Sequence, residues 1–268
     1  MKIFISADIE GVAGVASWDE TSMSKPDFLP FAQQMTKEVA SACEGAISAG
    51  ADEIWIKDAH GQGRNIDFTR LPQITRMIRS WSGHPFLMMQ ELDASFDAAM
   101  FTGYHSFGGS EGNPLAHTFI NSNISFMKLN DEYASEFLIN AYTASYMNVP
   151  VVFISGDEGI CCCANELNGN MKSVAVKKGV GNSVISIHPD LAASRIREGV
   201  QSALAGNFDK CKIKLPGKFK IEISYIQHYR AYKASFYPGI RQVTANNVMF
   251  EADDYFEVLR TLLFILYA

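Results

Sequence analysis

The sequence predicts an α/β protein of three layers, α/β/α, around a central largely parallel or mixed sheet, with a smaller inserted β-containing subdomain. Three observations predict it. Short β-branched and aromatic runs alternate with stretches of helical period. One run, 150–155 (PVVFIS), is apolar almost throughout, as a strand buried on both faces must be. The section near 115–130 instead has hairpin character, which places the subdomain at about 84–135 within a single unit spanning 1–268.

Residues 1–5 (MKIFI) read as the first strand, and Ser6-Ala7-Asp8-Ile9-Glu10-Gly11 follows at its end. A Ser-, Asp- and Gly-rich loop fills 12–30. Phe31, Met35, Val39, Cys43, Ala46 and Ile47 fall near a 3.6 period, so 31–49 is a predicted helix that Gly50 stops. The run 53–57 (EIWIK) is a second strand, ending in Asp58-Ala59-His60. Residues 74–79 are expected to form a short helix and 85–89 a strand. The run 98–103 (AAMFTG) is a strand that leads into Tyr104-His105. A Gly-rich loop precedes Ala116-His117-Thr118. Residues 124–129 alternate as a strand, Asn130-Asp131 is a turn, and 132–147 is an amphipathic helix carrying Glu136. After the strand 150–155, Asp157 is placed to cap a helix over 158–167. Residues 173–176 form a strand. Pro189 suits the first turn of a helix running to about 205. Strands over 218–226 and 242–250 and a closing helix over 253–267 complete the chain.

Composition narrows the function. The chain has 268 residues, 47% hydrophobic and 19% charged, enough for a large core. Its net charge of −6, with no basic block, argues against nucleic-acid binding. The longest apolar runs, such as 262–268, are too short to span a bilayer. Met1 leads directly into a strand with no signal-peptide pattern, and five cysteines are an odd count, so a reducing cytoplasm is the expected location.

Three strands end in metal-competent side chains: Asp8 and Glu10, then Asp58 and His60, then His105. In open α/β sheets the functional crevice lies beyond the carboxyl ends of the strands. Two carboxylates on one face repel, and burying them unpaired is costly, so a cation is expected between them. Mixed carboxylates and imidazoles suit zinc or a similar first-row ion better than magnesium. Asp8, Glu10, His60, His105 and Glu136 exceed what one catalytic ion needs. With Asp8 bridging, they suffice for two ions about 3.5–4 Å apart. His117 reads as a ligand, a general base, or a core histidine bonded to a hydroxyl.

Ser6-x-Asp8-x-Glu10-Gly11, Asp58-Ala59-His60, Gly103-Tyr104-His105, Ala116-His117 and Glu136 followed by Asn140-Ala141-Tyr142 together resemble the M55 peptidase family of zinc D-aminopeptidases. The likeness runs along essentially the whole chain. It implies a dinuclear zinc site from Asp8, Glu10, His60, His105 and Glu136, with Asp8 shared, and a catalytic His117. It also implies short peptide substrates and a homo-oligomer, a decamer of two pentameric rings enclosing the active sites. The Gly- and Ser-rich loop 105–117 with Glu111, and the run Cys161-Cys162-Cys163, depart from the family's pattern.

Other signals carry less. Gly179-Val180-Gly181 lacks the third glycine of a phosphate-binding turn. Consecutive helical cysteines diverge by about 100° and cannot share one metal. His84, His188 and His228 read as structural, and Lys177-Lys178 as a solvated pair. Two rival functions follow from the same residues: a metal-dependent phosphatase with Asp8 as nucleophile, and a non-catalytic ring-forming metal-binding protein.

Overall fold

The computed structural model describes residues 1–268. In chain order the elements are β1 (Lys2–Ala7), α1 (Phe28–Ser48), β2 (Glu53–Asp58), β3 (Thr75–Ile78), β4 (Ala98–Tyr104), β5 (Ile124–Leu129) and β6 (Glu132–Tyr133). Then come α2 (Glu136–Tyr146), β7 (Val151–Asp157), α3 (Glu158–Leu167), β8 (Lys172–Val180), β9 (Ser183–Ser186) and α4 (Pro189–Leu204). The chain closes with β10 (Phe219–Tyr225), α5 (His228–Ala234), β11 (Arg241–Gln242), β12 (Asn247–Ala252) and α6 (Tyr255–Ile265).

Seven strands form the central sheet in the order β3-β2-β1-β4-β7-β8-β9, all parallel except the β8–β9 hairpin. Side-chain alternation along β1 divides the core. Ile3, Ile5 and Ala7 pack with Met35 and Val39 of α1 and Ile196 of α4, while Phe4 faces the opposite layer with Phe101 and Ile154. That opposite layer holds α2, α3 and α6. Beyond it lies a second, antiparallel sheet in the order β11-β12-β10-β5-β6, whose Phe219, Ile221 and Ile223 join the same core. This sheet takes two strands from the stretch 84–135 and its other three from beyond residue 218.

Three local expectations are corrected. Residues 74–79 hold a strand rather than a helix, because Thr75–Ile78 pairs with Ile54–Lys57 of β2 and the sheet overrides a short periodic pattern. The predicted strand 85–89 is a single helical turn, Leu87–Met89, with no neighbouring strand to pair with. The helix expected from 132 starts at Glu136. Asn130 and Asp131 both adopt positive φ, 52° and 71°, the geometry of a tight hairpin turn, so Glu132 and Tyr133 pair back onto β5.

Two glycines bring the strand ends together. Gly103 has φ of +69°, and a side chain there would meet the Asp8 carbonyl. Gly11 lies so close to Tyr104 that a Cβ would approach its carbonyl oxygen to 1.8 Å. Gly11 N–H donates to the Gly103 carbonyl at 2.8 Å and Asp8 N–H to Thr102 at 2.9 Å. The turn after β1 is thereby pressed onto the end of β4, where Asp8 meets His105.

Candidate metal centre

The predicted site residues leave adjacent strands. Asp8 and Glu10 follow β1, His60 follows β2, and His105 follows β4, and these three strands are neighbours in the sheet. Glu136 opens α2, whose N-terminus is fixed by the Ser135 hydroxyl accepting from Leu138 N–H at 3.0 Å. His117 arrives from the loop between β4 and β5.

All six converge. His60 Nδ1 lies 3.3 Å from Asp8 Oδ1 and 3.0 Å from Glu10 Oε2. His105 Nε2 lies 3.4 Å from Asp8 Oδ2 and 3.6 Å from Glu136 Oε2. His117 Nε2 is 3.5 Å from Glu136 Oε1. The two oxygens of Asp8 therefore face two different imidazoles. Two groups of potential ligands result, Asp8–Glu10–His60 and His105–His117–Glu136, each with its ligand atoms within 4.8 Å of one another. Their carboxylates are buried, Asp8 at 2% exposure, Glu10 at 1% and Glu136 at 3%.

The imidazoles are oriented by their second nitrogens. His60 Nε2 meets the Thr21 carbonyl, His105 Nδ1 the Ser106 carbonyl and His117 Nδ1 the Leu115 carbonyl, each at 2.9 Å. A carbonyl oxygen only accepts, so each of these nitrogens carries the proton. In the neutral ring the other nitrogen then presents a lone pair toward the carboxylates. Acceptor faces acceptor, and Glu10 Oε2 and His105 Nε2 are buried without a hydrogen-bond partner. A cation between them satisfies both sides, and histidine ligands are commonly oriented by such outer hydrogen bonds. The donor set of oxygen and imidazole nitrogen fits zinc.

With no cation, protons must do the same work. Burial disfavours charge on His60 and His105, but the carboxylates of Glu10 and Asp8 around the first, and of Glu136 and Asp8 around the second, hold both imidazoles well above their ordinary pKa. Burial pushes the Asp8 carboxyl up, yet hydrogen bonds from His105 and His60 outweigh it and hold it well below the usual carboxylate range. Glu136 is likewise lowered, against burial, chiefly by His105 and then by His117.

A buried polar layer sets the loops that carry these residues. Asp157, at the end of β7, accepts from Ser106 N–H at 2.8 Å, the Ser106 hydroxyl at 2.6 Å, Asn113 Nδ2 at 3.0 Å and Ile160 N–H at 2.8 Å. The predicted helix cap thus also fixes the residue that orients His105. Asn113 donates to the Glu10 carbonyl at 2.9 Å. Lys177 Nζ donates to the same carbonyl and to that of Val15 at 2.6 Å. Lys177 is buried, not solvated as expected, and burial pushes its pKa down to about 8. Glu38, buried below, accepts from Ala13 N–H at 3.0 Å.

Some expectations change. Asp58, grouped with the strand-end ligands by position, accepts from Asn65 N–H at 2.6 Å and Ile66 N–H at 2.9 Å and closes its own loop. Gly179 packs on Gly112, to whose carbonyl its N–H donates at 3.0 Å, and forms no phosphate turn. His188 accepts from Asp190 N–H and caps α4. Of the three consecutive cysteines, Cys161 is buried and Cys162 exposed. The supporting roles of Asn113 and Lys177 carried no sequence signal, since each meets its partner across the fold.

Above the carboxylates opens a cavity of about 650 Å³ whose lining includes Asp8, Glu10, His60, His117 and Glu136. An open α/β sheet with this carboxylate–imidazole cluster at its strand ends, under a ligand-sized cavity, defines a metal-dependent hydrolase. The chain belongs to the peptidase M55 family: the family model, described as D-aminopeptidase, matches residues 1–264. It is similar to the D-aminopeptidase of Bacillus subtilis (strain 168), 28% identical over 265 residues that cover 98% of this chain and 96% of that protein. It is also similar to the solved structure of the Zn-dependent D-aminopeptidase DppA from Bacillus subtilis, a self-compartmentalizing protease. That match has a TM-score of 0.91 at 26% identity and covers 99% of this chain and 97% of the other. The expected family, fold class and peptide-hydrolase activity all stand.

Proposed function

We propose that this chain is a dinuclear zinc aminopeptidase that releases N-terminal D-amino acids from short peptides. Asp8, with Glu10 and His60 on one side and His105 and Glu136 on the other, would hold the ions. The observation that carries this reading is Asp8 itself, whose two oxygens each face a separate imidazole nitrogen. The same observation disfavours a phosphoaspartyl mechanism, since neither oxygen is free to attack.

Zinc, when bound, supplies Lewis acidity toward the scissile carbonyl and lowers the pKa of an attacking water. His117, with Nδ1–H tied to Leu115, keeps Nε2 free to take a proton from the attacking water and return it to the leaving amine. Its ring is held by stacking on His105 at 4.3 Å and by the edge of Trp18 at 5.2 Å. The test is zinc content together with hydrolysis of D-Ala-D-Ala and D-Ala-Gly-Gly, with and without chelator. Chelator-sensitive turnover is expected. No hydrolysis by a fully loaded protein removes the peptidase reading.

The chain further reads as a homo-oligomer, two stacked pentameric rings of a cytoplasmic enzyme. Support comes from the self-compartmentalizing relative and from exposed Phe236, Phe264 and Tyr267, 63–71% accessible in the single chain. No helix is long and apolar enough to cross a membrane. Light scattering of the purified protein is expected to give ten copies of the 29.6 kDa subunit.

A further inference from the structure

The cavity above the metal centre is walled by large apolar side chains tied directly to the ligand groups. Trp18 packs its ring against His117. Phe119 donates its N–H to Glu136 Oε1 at 2.6 Å. Trp81 Nε1 donates to the carbonyl of Gly61, next to His60, at 2.8 Å, and Lys57 Nζ sits 3.9 Å from its ring centre on the side of the sheet. Leu87 and Leu266 extend the wall. The cavity thus has an acidic floor and an aromatic and aliphatic wall, and no lysine or arginine lines it.

Two wall residues are held in strained backbone. Leu87 has φ of +49° and Phe119 φ of +63°. Bulky residues rarely occupy this region, and such outliers persist where the surrounding structure enforces them, commonly at ligand clamps. Gly83 and Gly61 also line the cavity at positive φ, so the chain uses glycine nearby where only the turn matters. At 87 and 119 it keeps a large apolar residue in the strained conformation, and both residues line the cavity.

Resting on the aminopeptidase reading, we propose that this wall is a side-chain pocket, and that the preferred substrates carry a bulky aromatic or long aliphatic residue at the N-terminus rather than alanine. A methyl group leaves most of a cavity of about 650 Å³ to water. A phenylalanyl or leucyl side chain covers more of the apolar wall and removes apolar surface from water on both partners.

The test uses the zinc-loaded protein with two probes. In calorimetry, D-phenylalanine hydroxamate is expected to bind at least about tenfold tighter than D-alanine hydroxamate. In turnover, kcat/KM for D-Phe-Gly-Gly is expected to exceed that for D-Ala-Gly-Gly by a similar factor. Phe119→Gly deletes the ring while keeping a residue suited to positive φ and the N–H that holds Glu136, and Trp81→Ala changes a side chain at the cavity rim. Each lowers the phenylalanine-to-alanine ratio at least about threefold in both assays. Equal or reversed affinity for the two hydroxamates overturns the pocket, as does an unchanged ratio in both variants. Hydrolysis of neither peptide alongside a retained hydroxamate preference overturns the peptidase reading and leaves the pocket standing.

Discussion

On the proposed reading, Asp8 and His117 separate two kinds of work at the centre. Asp8 is 2% exposed and touches both histidines that flank it, so its charge is compensated from two sides. Asp8→Asn keeps the size but places an amide N–H against one imidazole lone pair and removes the charge that the proposed ions would share. Metal analysis is expected to show loss of both zinc ions, with activity falling by about 10³-fold or more. His117→Ala removes the proposed proton carrier and leaves Asp8, Glu10, His60, His105 and Glu136 in place. It is expected to retain two zinc ions and lower kcat by about 10²–10⁴-fold, with KM little changed. Loss of one zinc from that variant would make His117 a ligand instead. Asp8, Glu10, His60 and His105 were legible because each sits just beyond a strand end that pattern alone locates, whereas Glu136 was read inside a helix expected from 132 and His117 only as following a Gly-rich loop. Their partners were not legible. Nothing local to Lys177 distinguishes an ammonium buried under the Glu10 turn from one in solvent, and the sequence likewise hides the aromatic wall, since Trp18, Trp81 and Phe119 are far apart in the chain.

Among the elements, those read well have strong internal patterns. β7 is apolar on both faces because it lies in the middle of the sheet between β4 and β8. β5 and β10 alternate because one face of the second sheet is buried. β3 and the turn Leu87–Met89 were misread because four or five residues of mixed character carry too little periodicity to outweigh where their neighbours place them. β7 and β8 also carry the support for the site. Asp157 and Lys177 are register partners at the end of these strands, and between them they fix Ser106, Asn113 and the Glu10 backbone. Lys177→Met fills the same space without donors and leaves the Val15 carbonyl unpaired. The protein is expected to lose about 1–3 kcal/mol of stability by chemical unfolding. Zinc affinity, read by chelator competition, is expected to weaken about 10–100-fold, while the oligomeric state is retained. Unchanged zinc affinity would confine Lys177 to a structural role.

For the whole molecule, the centre couples folding, pH and metal. In the metal-free protein His60 and His105 have raised pKa values, so their contribution is fully present below the unfolded value, about 6.5, and is lost as pH rises through the folded values. Asp8 and Glu136 are lowered, so their contribution is present above about 4.5 and is lost as pH falls through their folded values. Chelator-treated protein is therefore expected to show its highest melting temperature between about pH 4.5 and 6.5. Bound ions need the imidazoles deprotonated, so the loaded protein is expected to gain most over the metal-free form above about pH 7. Thermal unfolding across that range, with and without zinc, checks both halves. A metal-free protein most stable above pH 8 would contradict the charge assignment. The fold class was readable from the alternation of strands and helices, but the composition of the second sheet was not. Its strands come from both sides of the stretch that holds β7, β8 and β9 of the main sheet, and only the packed chain brings Ile124–Leu129 against Phe219–Tyr225.

Anomalous diffraction from zinc-loaded crystals tests the account at its centre. Two peaks are expected about 3.5–4 Å apart, one between Glu10 and His60, the other between His105 and Glu136, with an oxygen of Asp8 bonded to each. A single peak, or two peaks of which only one touches Asp8, would contradict it.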